Sequence, residues 1–573
     1  MESIEMVCKF VLLVLTTQLG KTFTTINRIL TELNDDEEFG KSIHLVFTMN
    51  TLLNNRQFAK RLETIENHYG KGSIVIFASQ NTTKYRGVTK LVELQGLCVD
   101  SATCPKVVVM CSNEYRYEDG LQFIEILENN RTNIERVFAY YDELHRYISP
   151  TLRQKIEHIN TMKIVKGIIA MTATPLRIWE KTGFWSNIRM IQLDEFNEKD
   201  YAGYKDMVWN CDDTYFPTPF VRPIPKDFDA HDANTLGFIR HILNKHPDIL
   251  AEGTRTFIPA HVRRVGHNRV RNLVFERNPN AVVVVLNGDE KTLTYTDSAG
   301  FKKTHDLGSI TDEEVCETIA TRMISQKLTN HPLVITGFLC VGMGQTLTHK
   351  TLGSFTSAII SHLDQTNDEV YQLFGRLTGR MLNWGDKYVQ TQVYCPTKIM
   401  NRCHVMEECA RRVALDHAGE GITRDEYLSP MDEMGDAGLA AKENIRIEKE
   451  VKAKRPKRPQ PIEHSVAFTT IKGVNEFLTN TFKKPVAIKA FHKPAGSEYQ
   501  LSTRLNAYYK KKMAELLESD RLIFEFYKKI NMGMNISSKE GTGQQYMVYP
   551  VYPTKESPPS DVRYYVRYLK PTE

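Results

Sequence analysis

The chain has 573 residues, 41% hydrophobic and 25% charged, a composition that suits a globular protein too long for a single core. The apolar run FVLLVL (10–15) is far too short for a bilayer span and is followed by no small-residue cleavage site, so neither a membrane anchor nor a signal peptide is expected. Ten cysteines without paired spacings point to a reducing, intracellular and soluble setting, and a net charge of +5 neither demands nor excludes nucleic acid.

FVLLVL is predicted to be the first of a series of strands, continued by IHLVF (43–47), SIVIFAS (73–79), KVVVMC (106–111), RVFAYY (136–141) and VKGIIAM (165–171). Helical patterns lie between several of them, beginning with a segment whose Phe23, Ile26, Ile29, Leu30 and Leu33 share one face. Continuous apolar strands alternating with helices predict an α/β domain over residues 1–190, its parallel sheet covered on both faces. Residues 191–232, with the prolines of FPTPFVRPIP, read as a semi-rigid linker. A second α/β block is expected over 233–400, with strands at RTFIP (255–259), AVVVVLN (281–287), LVITGF (333–338), FTSAIIS (355–361) and YVQTQVYC (388–395). Residues 401–463 turn helical and charged and end in KAKRPKRPQP (452–461), an extended connector. The remainder, 464–573, reads as a small α+β module in which YMVYPVYP (546–553) and DVRYYVRYL (561–569) pair as strands.

Chemistry enters first at LTTQLGKTF (15–23). A phosphate-binding loop needs an abruptly ending strand, inward backbone N–H groups, a lysine for the phosphates and a hydroxyl for Mg²⁺ at a helix start. Gln18 and Leu19 would form the turn, Gly20 would let the backbone approach phosphate, Lys21 would supply charge and Thr22 the metal-side hydroxyl. Leu15 and Gln18 stand where glycine-rich loops carry further glycines. The second signal is YYDELHRY (140–147) at a strand end, where Asp142 can hold Mg²⁺ and Glu143 can orient and deprotonate a water. By itself that pair reads equally well as an acidic helix cap.

Order joins these signals: MTATP (171–175), TGFLCVGMGQT (336–346) and YQLFGRLTGR (371–380) follow in turn. With them the sequence resembles the superfamily 2 helicases and translocases, of the D-E-x-H branch, through motifs I, II, III, V and VI across residues 10–395. The resemblance implies two tandem RecA-like domains that bind ATP in the cleft between them and nucleic acid across their tops, DNA being favoured over RNA. It implies phosphate and Mg²⁺ contacts from Gly20, Lys21 and Thr22, a metal ligand in Asp142 and a catalytic base in Glu143. His145, Thr172 and Thr174 would couple hydrolysis to domain movement. Gln372, Arg376 and Arg380 would reach back from the second domain, the arginines neutralising γ-phosphate charge. Gly342, Gly344 and Gln345 would touch nucleotide and nucleic acid. One residue more than the usual motif VI spacing separates Arg376 from Arg380, and only nineteen residues precede Gly20, which leaves little room for an adenine-reading motif. The single-glycine loop and the form of motif VI look most like helicases encoded by large DNA viruses, which implies a virion or an infected cell as the setting. Two alternatives stand beside unwinding: a double-stranded DNA translocase, and a weakly hydrolysing nucleic-acid-binding or assembly protein.

Four further clusters complete the sequence. IPAHVRRVGHNRVRNLVF (258–275) places Arg263, Arg264, Arg269, Arg271, His261 and His267 on a helix after a strand, where Arg263, Arg264 and Arg269 could contact phosphates or form a solvated face. Cys98, Cys104 and Cys111, like Cys395, Cys403, His404 and Cys409, lack the spacing of an iron–sulfur or zinc site and are expected to be ordinary thiols. KRPKRP (454–459) reads as solvated linker before a nuclear signal. In the last module Tyr508, Tyr509, Lys510, Lys511 and Lys512, with Tyr564, Tyr565 and Tyr568, interleave rings with charge, a surface for bases or for a protein partner.

Overall fold

The computed structural model describes residues 10–14, 16–18, 21–34, 41–49, 52–78, 85–99, 103–129, 134–182, 188–189, 198–216, 228–287, 290–308, 315–338, 346–416, 421–453, 462–482, 546–551 and 563–569. They belong to two compact units, Met1–Glu450 and Val451–Glu573. Among the described residues no helix is long and apolar enough to cross a membrane.

The first unit holds two tandem RecA-like domains. In the first, strands β1 (Phe10–Val14), β2 (Ser42–Thr48), β3 (Ile74–Phe77), β4 (Arg86–Val88), β5 (Val107–Cys111), β6 (Arg136–Asp142) and β7 (Val165–Thr172) form a sheet in the order β1-β7-β6-β2-β5-β3-β4. Every pairing is parallel. Strands such as VVVMC and IVIF are buried along their whole length, because helices cover both faces and neither face meets water. β4 was not foreseen: three residues reading Arg-Gly-Val, with Arg86 exposed, give no apolar run. The register sets Val14 beside Thr172, and Asp142 beside Met171, so the ends of β1, β7 and β6 converge at one lip of the sheet. Open α/β sheets bind ligands at the carboxyl ends of their strands.

The second domain uses β8 (Val208–Cys211), β9 (Arg255–Phe257), β10 (Val282–Leu286), β11 (Lys291–Thr296), β12 (Lys302–Asp306), β13 (Leu333–Gly337), β14 (Ser357–Ile359) and β15 (Gln392–Cys395), ordered β8-β15-β14-β9-β13-β10-β11-β12. Six of them run parallel; β11 and β12 add an antiparallel hairpin at one edge, unforeseen because its alternating polar residues lack a long apolar run. β8 corrects the linker expected over 191–232, since Val208–Cys211 pairs in register with β15 and closes the opposite edge. Tyr201–Ala202 likewise pairs with Gly379–Arg380. Residues 217–225, which hold most of the proline run, lie outside the described residues.

The connector expected over 401–463 is corrected in its first part. Helix Thr397–Asp416 buries Cys403, Val405, Met406, Cys409 and Ala410 completely, and Tyr427, Met431 and Ala441 join the same core. The charged residues alternate with an apolar face, and that face belongs to the RecA-like unit up to Glu450. The second unit contains β16 (Ile462–His464), helix Ile471–Phe482, β17 (Tyr546–Val551) and β18 (Arg563–Leu569), the strands forming an antiparallel sheet in the order β16-β18-β17. Val474, Leu478, Tyr564 and Val566 make its small core. The KRPKRP run and Tyr508 to Lys512 lie outside the described residues.

Candidate active site

The end of β1 leads through Thr16, Thr17 and Gln18 to helix Lys21–Asn34; Leu19 and Gly20 lie outside the described residues. Gln18 has φ 55°, the left-handed conformation that glycine adopts freely and that costs another residue about 1 kcal/mol. Contacts to the second domain hold it there. Gln18 Nε2 donates to the Gly375 carbonyl at 2.6 Å. Beside it, Thr378 Oγ1 donates to the Thr17 carbonyl at 3.2 Å, and Tyr201 Oη donates to the same carbonyl at 2.9 Å. Gly375 permits this approach, since a Cβ there would stand 2.6 Å from Thr17 Cβ.

A cavity of about 440 Å³ opens behind that seam. Lys21 and Thr22 reach it from the first turn of the helix, Asp142 and Glu143 from the end of β6, and Gln372 and Arg376 from the second domain. Its apolar side is made by Phe23, Ile26, Met49 and Phe58. Phe23, expected on the helix's packing face, is instead 64% exposed at this rim, while Ile29 and Leu33 are buried. Arg61, at the end of helix Leu52–Arg61, donates to Thr22 Oγ1 and to Thr346 Oγ1, both at 3.3 Å, and so spans the cleft. The sequence offered no motif for it; a basic residue in a helix's last turn is ordinary, and its reach to Thr22 depends on packing.

Behind the acidic pair, Thr172 Oγ1 and His145 Nδ1 are hydrogen-bonded at 2.8 Å, and the Thr174 N–H donates to Thr172 Oγ1 at 2.9 Å. Glu143 takes φ 48°, which turns its side chain off the strand line, and Glu143 Oε2 lies 3.4 Å from His145 Nδ1. The expected coupling residues therefore form one buried chain behind the carboxylates.

The cavity carries charges of both signs, the Asp142 and Glu143 carboxylates together with Lys21, Arg61 and Arg376. Burial, then the Glu143 charge, pushes Asp142 up to about 7, although Lys21 and Arg61 oppose the rise. Burial holds Arg376 down to about 10, with Glu143 opposing. Glu143 Oε2 and Gln372 Nε2 are buried without a hydrogen-bond partner among the described residues. A phosphate-bearing ligand with a divalent cation between Asp142 and Thr22 would meet these groups, so the residues present fit Mg²⁺ and a nucleotide.

Three expectations fall differently. Arg380 does not reach the cavity: the extra residue after Arg376 carries it into the ladder with Tyr201–Ala202, where it is exposed and pairs with Asp200 at 3.3 Å. Gly342, Gly344 and Gln345 lie outside the described residues, although Thr346 beside them lines the cavity. Arg263, Arg264 and Arg269 are exposed where helix Arg264–Arg277 begins, but His261 precedes that helix and is buried, His267 is buried, and Arg271 pairs with Glu290 at 2.7 Å. The eight described cysteines are free thiols, and Cys111 Sγ accepts from Asn55 at 3.2 Å. Among the described residues, Cys395, Cys403, His404 and Cys409 do not gather as metal ligands.

No protein family matches the chain, and no curated protein matches it in sequence. Among solved structures, the chain is similar to the ATP-dependent Type ISP restriction-modification enzyme LlaBIII bound to DNA, at 12% identity and a TM-score of 0.40, over 94% of this chain and 35% of that one. It is also similar to S. cerevisiae Dbp5 bound to RNA and ADP BeF3, at 11% identity and a TM-score of 0.36, over 78% of this chain and 88% of that one. The chain thus spans about a third of the restriction enzyme's length.

Proposed function

We propose that the chain is an ATP-dependent nucleic-acid motor of the superfamily 2 helicase type, which hydrolyses ATP in the cavity between its RecA-like domains and uses the domain movement to separate or travel along strands. The observation that carries this reading is the convergence of Lys21, Thr22, Asp142 and Glu143 from one domain with Gln372 and Arg376 from the other on one cavity. Phosphoryl transfer asks for charge neutralisation and positioning above all, and each of these groups supplies one of the two. Lys21 would hold the β- and γ-phosphates at the helix start. Mg²⁺ held through Thr22 and Asp142 would neutralise phosphate charge. Glu143 would orient the attacking water and accept its proton, with His145 Nδ1 3.4 Å from its Oε2. Arg376, buried and aimed from the second domain, would neutralise the leaving charge only while the cleft is closed, which ties chemistry to domain position.

Asp142-Glu143-Leu144-His145 supports the D-E-x-H branch, and the single-glycine loop supports a viral enzyme. Arg263, Arg264 and Arg269 would contact the phosphates of a DNA strand, and the second unit would take a protein partner. The test is ATP turnover by the full chain with and without single- and double-stranded DNA and RNA. Nucleic acid is expected to stimulate turnover, and Lys21→Ala and Glu143→Gln are each expected to lower kcat by about 100-fold or more. Equal rates for wild type and both variants would sink the reading. A strand-displacement assay separates unwinding from translocation along a duplex.

A further inference from the structure

On the second domain, three side chains from three separate elements converge on one point. His231 comes from helix Phe228–Lys245, His261 from the segment after β9, and Asp364 from the turn after β14. Asp364 Oδ2 lies 3.0 Å from His261 Nε2 and 3.5 Å from His231 Nδ1, and the three ligand atoms all lie within 4.8 Å of one another. Ligands bonded to one tetrahedral zinc at about 2.0–2.1 Å stand roughly 3.4 Å apart, so these separations admit a cation at the centre after small adjustments.

The surroundings are those of a metal-bound imidazole. His231 and His261 are almost wholly buried, their rings stacked with centroids 5.3 Å apart. The far nitrogen of His261, Nδ1, lies 3.8 Å from Asp232 Oδ1, beyond hydrogen-bond distance but close enough that a small shift on ion binding would let this carboxylate accept from it and fix the tautomer. Phe338 and His362 stack beyond His261 and close off that side. The Gln365 amide sits at the same point, with its nitrogen 2.6 Å from Asp364 Oδ2 and 3.2 Å from His261 Nε2. Turned about, that amide presents its oxygen, a fourth donor.

We propose that His231, His261 and Asp364, with Gln365, bind a divalent transition-metal ion, zinc in first place. Two imidazoles, one carboxylate and an amide oxygen suit zinc better than Mg²⁺, which prefers oxygen donors alone. The ion would pin the start of the second domain to the turn that precedes helix Asn367–Phe374. Thr366 caps that helix, and Arg402 braces the same turn by donating to Asn367 Oδ1 at 2.7 Å and to the Gln365 carbonyl at 2.5 Å. Since Gln372 lies on this helix and Arg376 directly after it, the ion would be a positioning element for the cleft, remote from the nucleotide itself.

The test is metal content of the full chain, expressed with zinc in the medium and dialysed against metal-free buffer. About one zinc per chain is expected, falling to trace in His231→Ala and His261→Gln and unchanged in Asp142→Asn, which separates this site from the nucleotide cavity. Cobalt in place of zinc is expected to give a visible spectrum without a thiolate band. Chelation should lower the unfolding midpoint by about 5 °C, and zinc but not magnesium should restore it. Trace metal in the wild type, full content in a folded His261→Gln, a thiolate band, or a wild-type midpoint indifferent to chelation and added zinc would each overturn the proposal.

Discussion

Arg376 and Arg380 are four residues apart, yet only the first lines the cavity, and the second pairs with Asp200 in solvent. Arg376→Ala is therefore expected to lower kcat for ATP by about 10³-fold, as loss of a finger arginine does, while Arg380→Ala changes it no more than a few-fold; steady-state kinetics on both variants checks this. Arg61→Ala should raise KM for ATP and weaken closure, because it removes the guanidinium shared between Thr22 and Thr346. His44 gives the fold a pH dependence. Burial, reinforced by the Arg136 charge, holds its imidazole at about 3 against 6.5 in the unfolded chain. The unfolded chain thus takes up a proton below 6.5 that the folded chain refuses. Its share of stability is whole above 6.5 and falls as the pH drops towards 3. Acidification from about pH 8 to 5 should cost about 2 kcal/mol through this group, and His44→Leu should flatten that slope in denaturant titrations. The meeting of Lys21, Asp142, Glu143 and Arg376 at one cavity was legible in the sequence, because short local spacings mark each of them. Arg61, and the exclusion of Arg380, depend on where helices and ladders come to rest, which no spacing records.

At the scale of elements, long apolar strands declared themselves, β1 even at a sheet edge, and short or polar strands did not. FVLLV and VVVVL are buried on both faces and carry the parallel-sheet signature, whereas Arg86–Val88 and the Lys291–Thr296 hairpin sit at sheet edges where polar residues are tolerated. Val208–Cys211 was hidden among neighbouring acids and prolines, although it completes the second sheet. The seam between the loop after β1 and the turn after helix Asn367–Phe374 joins the two domains through Gln18, Gly375, Thr17 and Thr378. Gly375→Ala would thrust a methyl group against Thr17. ATP turnover should drop by about 10- to 100-fold while circular dichroism and the unfolding midpoint stay close to wild type, because the clash lies between domains and spares each domain's core.

For the whole molecule, the boundary that matters lies after Glu450, since the helices beyond residue 397 complete the RecA-like core. A chain ending at Glu450 is expected to unfold cooperatively and retain nucleic-acid-free ATP turnover within a few-fold, whereas one ending at residue 400 should be insoluble, having lost the helix that buries Cys403, Met406 and Cys409. Expression and calorimetry of the two truncations distinguish these outcomes. The loop with the missing glycine has a last consequence. In a glycine-rich loop the backbone turn is self-sufficient, and such a loop can be grafted from one protein to another. Here the turn at Gln18 is completed by the Gly375 carbonyl, 357 positions away in the chain. The acceptor is a backbone carbonyl, so the bond does not depend on the side chain at 375 and is lost only with the Gln18 amide, which makes the conformation of this loop answerable to the second domain.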